Sequence, residues 1–206
     1  KEDDILGGTD PYSASKAASE IIISSYKDIL SQNKNINIGS ARAGNVIGGG
    51  DWSKERLIPD IIRAWNEGKK VVIRNPHATR PWQHVLDPLN GYINLAEKLW
   101  NGKAISGAYN FGPNSDGNDS VENVLKMASS FYAGGSYIIE NDKDNFYEAG
   151  ILALDSSKSE KILNVKCNFS IKDALEKTFT WYKKYNAGEN AYDLCMKDID
   201  FYKSLK

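Results

Sequence analysis

The sequence predicts an α/β fold with mainly parallel strands, and three observations predict it. Helix-period segments alternate with short apolar runs along much of the chain. Polar capping residues stand at the expected helix starts, among them Asp10, Ser120, Ser156 and Ser170. A glycine-rich stretch from Ala43 to Trp52 follows a helix–strand unit, where open α/β sheets bind ligands beyond their strand ends. After Ser120 helices predominate and read as a smaller lobe. No Pro/Gly-rich linker precedes that lobe, so the expectation is one interlocked unit.

The first helix is expected from Pro11 to about Leu30, with Ala14, Ala17, Ala18, Ile21 and Ile22 as its apolar stripe and Tyr12, Lys16 and Glu20 on another face. Asn33-Lys34-Asn35 makes the turn into a strand through Ile36 and Ile38 that ends near Arg42. Residues 43–52 read as a loop, either a connector or a site whose glycines admit a ligand to the backbone. A helix over about Leu57–Gly68 turns Ile58, Ile61, Ile62 and Trp65 inward, and Val71-Val72-Ile73 is a short strand. Asn75 to Asp87 reads as irregular, with Asp87 capping a helix to about Trp100 whose apolar positions are Leu89, Ile93, Leu95, Ala96 and Leu99. Ala108–Phe111 is a strand closed by Gly112-Pro113. Asp119 or Ser120 caps a helix to about Tyr132, Tyr137–Ile139 is a strand, and Asn141–Gly150 is a polar loop. Asp155 or Ser156 starts a short helix to Asn164. Ser170 caps a helix to Tyr185, and a last helix spans about Tyr192–Leu205. Phe179, Trp181, Tyr182, Tyr185, Phe201 and Tyr202 read as packing residues.

Composition removes several classes of function. With 26 basic and 27 acidic residues there is no footprint for nucleic acid. No apolar run reaches the roughly 20 residues of a membrane span, and no signal peptide is evident. Cys167 and Cys195 do not make a disulfide framework, so a reduced, cytoplasmic setting is the default expectation. His77 and His84 are too isolated to suggest a metal site.

The chemistry-bearing stretch is Asp10-Pro11-Tyr12-Ser13-Ala14-Ser15-Lys16. Pro11 suits the first helical position, and four residues are about one turn, so Tyr12 and Lys16 share a face. A nearby ammonium favours a phenolate, which lets a tyrosine serve as a general base or acid. The spacing alone also describes an ordinary helix surface pair. The small residues around it (Ser13, Ala14, Ser15, Ala17, Ala18) leave room for a close approach. Arg80, fixed beside Pro81 and Trp82, has the planar fork of a phosphate clamp. No strand followed by Gly-x-x-Gly-x-x-Gly occurs, and Gly48-Gly49-Gly50 lacks that spacing. The expectation is therefore the C-terminal part of a longer protein.

Four segments in one order carry a resemblance: Asp10–Lys16, Arg42–Trp52, Arg80–Val85 and Leu154–Lys158. Together they resemble the CDP-glucose 4,6-dehydratases, nucleotide-sugar enzymes within the extended short-chain dehydrogenase/reductase family. The glycine-rich segment ending in Asp51-Trp52 and the run Arg-Pro-Trp-Gln-His-Val mark this dehydratase group within the family. The likeness covers nearly the whole chain, strongest from Leu6 to Glu97 and weaker after Asn164.

The resemblance implies the C-terminal part of an NAD-binding Rossmann domain plus a smaller α/β substrate-binding domain. Residues 1–50 would end the first, and 51–206 would form mainly the second, with about 82–115 returning to the first. It implies NAD as cofactor, a nucleotide-sugar substrate, CDP-glucose, and a homodimer. Tyr12 would take the proton from the sugar 4-hydroxyl, while Lys16 would support the tyrosinate and hold the nicotinamide ribose. Asn45 would contact phosphate or sugar, and Arg80 the pyrophosphate. Leu57, Ile58 and Pro59 would lie near the nucleoside, and Glu148 would close over the ligand. Hydride would leave C4 for the cofactor, water would leave across C5–C6, and hydride would return to C6, giving CDP-4-keto-6-deoxyglucose. The residues that drive the elimination, and the Ser or Thr beside the tyrosine, would lie upstream of Lys1. Trp82 and His84 are open to a structural role. Tyr147 stands where the group has histidine, and Asn164–Asn168 replaces its usual Gly-Trp-x-Pro-x run. The alternatives are another nucleotide-sugar dehydratase or epimerase, a nucleotide-sugar-binding module without catalysis, and an inert truncated fold.

Overall fold

The computed structural model describes residues 1–34, 36–113, 117–132, 134–140 and 150–205. Its elements are α1 (Pro11–Lys34), β1 (Gly39–Ala43), β2 (Asn45–Ile47), α2 (Leu57–Asn66), β3 (Val71–Ile73), β4 (Thr79–His84), α3 (Leu86–Trp100), β5 (Gly107–Phe111), β6 (Asn118–Ser120), α4 (Val121–Phe131), β7 (Tyr137–Ile139), α5 (Ser157–Leu163), α6 (Ile171–Asn186) and α7 (Ala191–Ser204). Of the paired strands, β1–β5, β2–β4 and β3–β7 are parallel and β4–β6 is antiparallel. The mixed α/β architecture with mainly parallel pairing is the one the alternation predicts. Among the described residues no helix is long and apolar enough to cross a membrane, and no cluster of three or more His, Cys, Asp or Glu side chains could hold a metal ion.

The chain divides into two compact units, each made of three separated segments. The first comprises Lys1–Ala43, Pro88–Gly112 and Leu154–Lys166; the second comprises Gly44–Asp87, Pro113–Ala153 and Cys167–Lys206.

In the first unit β1 and β5 run in register from Gly39 opposite Gly107 to Ala43 opposite Phe111. Glycine is required at two contacts with α3. A Cβ on Gly39 would meet the Leu99 side chain at 2.7 Å, and one on Gly91 would meet the Phe111 ring at 2.4 Å. Leu95, Tyr109, Phe111, Leu163 and Val165 form the core. Asn164 ends α5 in a left-handed cap with φ 55°. The expected apolar stripes are only partly used. On α1 the residues turned inward are Ser13, Ala17, Glu20, Ile23, Lys27 and Leu30, while Ala14, Ala18, Ile21 and Ile22 are exposed. On α3, Leu95 is buried whereas Leu89 and Ile93 are exposed. On α1 the inward face is itself partly polar, holding Ser13, Glu20 and Lys27.

In the second unit β4 lies between β2 and β6. It appears where sequence suggested irregular chain because Pro81 masks it. Residues Thr79–Pro81 pair with β6 and Trp82–His84 pair with β2. The strand thus changes partner at the proline, whose missing N–H would interrupt a longer ladder. Likewise β2 replaces part of the expected 43–52 loop, because its three residues pair with β4. The core gathers Ile58, Ile61, Ile62 and Trp65 of α2 with Val124, Leu125, Ala128, Leu175, Phe179, Tyr182 and Tyr202. Each large apolar side chain buried there is worth about 1.5–3 kcal/mol. Helix α6 begins with a full capping box between Ser170 and Asp173. Of the aromatic residues assigned to packing, Tyr185 and Phe201 are exposed and the other four are buried.

Asp87 is a correction. It lies inside the first turn of α3, and its buried carboxylate accepts from the Asn168 amide at 2.8 Å, the Tyr202 hydroxyl at 2.9 Å and the Cys167 thiol at 3.0 Å. It ties the 167–169 segment and α7 to the end of β4.

Candidate active site

At the start of α1, Asp10 Oδ1 accepts from the amides of Tyr12 (2.9 Å) and Ser13 (3.0 Å), capping the helix as its sequence position predicts. The Ser13 hydroxyl and these amides hold the Asp10 carboxyl below the usual carboxylate range. This fixes the first turn, so Tyr12 and Lys16 project from one face. Tyr12 is 72% exposed. Lys16 Nζ stands 5.9 Å from the centre of its ring. Below them Glu20 reaches β1. Arg42 Nε donates to Oε1 at 2.9 Å, Arg42 Nη2 donates to Oε2 at 2.9 Å, and Ser40 Oγ donates to Oε2 at 2.9 Å. The Arg42 guanidinium holds the Glu20 carboxyl below its usual range, although burial pushes it the other way. Sequence placed Glu20 on the Tyr12 face but gave no sign of its partner. Arg42 lies in β1, opposite Asn110 of β5, far from Glu20 in sequence.

The remaining candidates lie in the second unit. Asn45 opens β2, opposite Trp82. Leu57 is partly buried, Ile58 belongs to the core and Pro59 is buried, all in the first turn of α2. Arg80 is 8% exposed, with Nη1 donating to the Thr79 carbonyl at 2.9 Å. Glu148 and Tyr147 lie outside the described residues. The structure therefore places Tyr12 and Lys16 one helical turn apart in the first unit, and Asn45, Leu57, Ile58, Pro59 and Arg80 in the second.

Trp82 and His84 are interior. Trp82 Nε1 donates to the Asp119 carbonyl at 3.1 Å. The His84 ring lies edge-on to Phe169, with centroids 4.8 Å apart. Burial, assisted by the Lys177 charge, pushes the His84 imidazole down to about 4, so it is neutral at pH 7. The loop after β2 is anchored on α6. The Tyr182 hydroxyl donates to the Asp51 carbonyl at 2.6 Å, and Trp52 packs edge-on against Tyr182 with centroids 5.1 Å apart. Gly49 lies under Trp181, where a Cβ would come within 2.1 Å of the indole.

The profile of the NAD dependent epimerase/dehydratase family matches residues 1–112, more than half of the chain and the part that contains Tyr12, Lys16, Arg42 and Arg80. The chain belongs to this family. Within it, the chain is 37% identical to a CDP-glucose 4,6-dehydratase of Salmonella typhimurium over 99% of its own residues and 58% of that protein. A dTDP-glucose 4,6-dehydratase of Bacillus anthracis, solved with NAD, superposes with a TM-score of 0.74 at 22% identity, over 91% of this chain and 57% of that one. A UDP-glucuronic acid 4-epimerase of Bacillus cereus, solved with UDP-glucuronic acid and NAD, gives 0.76 at 22% identity, over 90% and 56%. The family member described here thus spans little more than half the length of these relatives, and the two structures share its fold.

Proposed function

We propose that this chain serves an NAD-dependent nucleotide-sugar 4,6-dehydratase that converts CDP-glucose to CDP-4-keto-6-deoxyglucose. The observation that carries the reading is the 37% identity to a CDP-glucose 4,6-dehydratase, sustained over 99% of the chain. The exposed pair at the start of α1 supports it. A phenol and an ammonium one turn apart are hydrogen-bonding groups that fit a cofactor ribose diol, and Tyr12 and Lys16 would hold it. Bound NAD would supply reversible two-electron storage. The chain's own residues do the rest. Tyr12 receives the proton of the sugar 4-hydroxyl, with the Lys16 ammonium beside it on the same helix face. Arg80 neutralises the pyrophosphate with a planar fork, and Asn45 adds a neutral hydrogen-bonding group for phosphate or sugar. Leu57, Ile58 and Pro59 shape the nucleoside end.

The first unit would be the end of the cofactor domain and the second the nucleotide-sugar domain. A homodimer belongs to the same reading, supported by the exposed apolar run Ile22, Tyr26 and Ile29 on α1. Cys167 and Cys195 are not joined in a disulfide among the described residues, which fits a reducing, cytoplasmic compartment. The test is turnover of CDP-glucose, dTDP-glucose and GDP-mannose with NAD by the protein as its gene encodes it. A 4-keto-6-deoxy product formed fastest from CDP-glucose is expected. Equal or faster turnover of a sugar without cytidine overturns the assignment.

A further inference from the structure

We infer that Glu20 and Arg42 are positioning residues for Tyr12 and Lys16: their fork fixes the roll of α1 on β1 and keeps the Glu20 carboxylate from pairing with the Lys16 ammonium. The inference rests on the catalytic reading of Tyr12 and Lys16, but its central contact can be measured without it. Glu20 lies one turn beyond Lys16 and two beyond Tyr12, on the same side of α1. A carboxylate there is the natural i,i+4 partner of Lys16. It is instead occupied by three donors from β1: two from the planar Arg42 fork and one from Ser40, each at 2.9 Å. Two parallel bonds from a rigid guanidinium restrict rotation about the helix axis as well as sliding along it, which a single point charge would not do. The side chains of Arg42 and Glu20 are 23% and 18% exposed, so solvent screens the pair incompletely.

Three other charged groups near this pair have partners elsewhere. Glu2 Oε1 accepts from the Asn110 amide at 2.9 Å, Lys27 pairs with Asp28 at 3.4 Å, and the Lys158 ammonium donates to the Ala108 carbonyl at 2.7 Å. Glu2 and Asp3 add negative charge that favours the Arg42 cation. Arg42 is therefore the charge that holds Glu20. Lys16, freed from Glu20, stays on the Tyr12 side.

The test compares Arg42→Met, Glu20→Gln and the double variant in the protein as its gene encodes it. Each is read by kcat and KM for CDP-glucose, and by the 13C resonance of dimethylated Lys16, assigned by its loss in Lys16→Arg. Arg42→Met frees a carboxylate next to Lys16. Its kcat should fall by about 10²-fold, the scale of a small misplacement of a catalytic group, with KM nearly unchanged and the Lys16 resonance shifted. Glu20→Gln keeps the shape and removes the charge, so its loss should be smaller and its Lys16 resonance unmoved. The double variant should return to the Glu20→Gln level in both readouts. A merely structural role predicts no such rescue, so a double variant as slow as Arg42→Met overturns the inference, as does an unmoved Lys16 resonance in Arg42→Met. If Arg42→Met does not fold, Arg42→Lys keeps the charge and loses the fork. It should lower kcat with the Lys16 resonance unmoved, and wild-type kcat there also overturns the inference. Full turnover in Tyr12→Phe would instead remove the catalytic reading, leaving the Lys16 resonance to decide the clamp.

Discussion

Helices α1 and α6 begin alike and are used differently. Asp10 caps the first and a Ser170–Asp173 box caps the second. Yet α6 buries Ala174, Leu175, Thr178, Phe179, Trp181 and Tyr182, whereas α1 leaves Ile21, Ile22, Tyr26 and Ile29 exposed. A cap and a 3.6-residue period decide that a helix forms; what packs on it decides which face is hidden. In this chain α6 is the scaffold of the second unit. Helix α1 packs through a part-buried face that includes Glu20 and Ile23, and in the proposed reading it is the carrier of Tyr12 and Lys16.

The contrast can be broken first at Tyr12. Replacing it with phenylalanine should lower turnover by roughly 10²–10⁴-fold, the cost of losing a general base. The melting temperature should not change, since the hydroxyl is exposed; a drop in melting temperature would count against the carrier view. On the scaffold side, Phe179→Ala should cost about 3–5 kcal/mol in urea unfolding through the cavity it leaves. A third effect is set by pH. His84 titrates near its ordinary value when unfolded but only at about 4 when folded. The unfolded chain therefore binds more protons in between, so stability is complete above pH 6.5 and falls as pH drops toward 4, by on the order of 3 kcal/mol. His84→Gln should flatten that slope, and an unchanged slope would show that other groups set it. Arg80→Ala should raise KM for CDP-glucose before it touches kcat, through loss of a charge-assisted contact. Unchanged KM would remove Arg80 from the site. The smallest effect belongs to Ile105→Ala, within about 0.5 kcal/mol for an exposed position.

Much of this was legible in the residues. Caps and periodicity located α2, α4, α5 and α6, because Ser120, Ser170 and the inward set Ile58, Ile61, Ile62 and Trp65 are local signals. The strands β2, β4 and β6 were not legible. Two of them are three residues long, and the third contains a proline that only its change of partner makes tolerable. Asp87 read as a cap because its true donors lie 80 or more residues away in sequence. The same distance in kind hid Arg42: Glu20 marks the face, but a bidentate contact across 22 residues depends on where β1 lies. The proposed pair Tyr12 and Lys16 can be named from sequence alone because one turn of helix contains both.

The buried Asp87 carboxylate has a consequence for proteolysis. One of its donors, the Tyr202 hydroxyl, lies 115 residues downstream, in α7. A protease that clips α7 would leave the buried Asp87 carboxyl short of a hydrogen bond. The damage would appear at the root of α3, beside the strand that holds Arg80. Protein cleaved within α7 should then unfold at a lower urea concentration than the uncleaved protein, with the loss read at the start of α3.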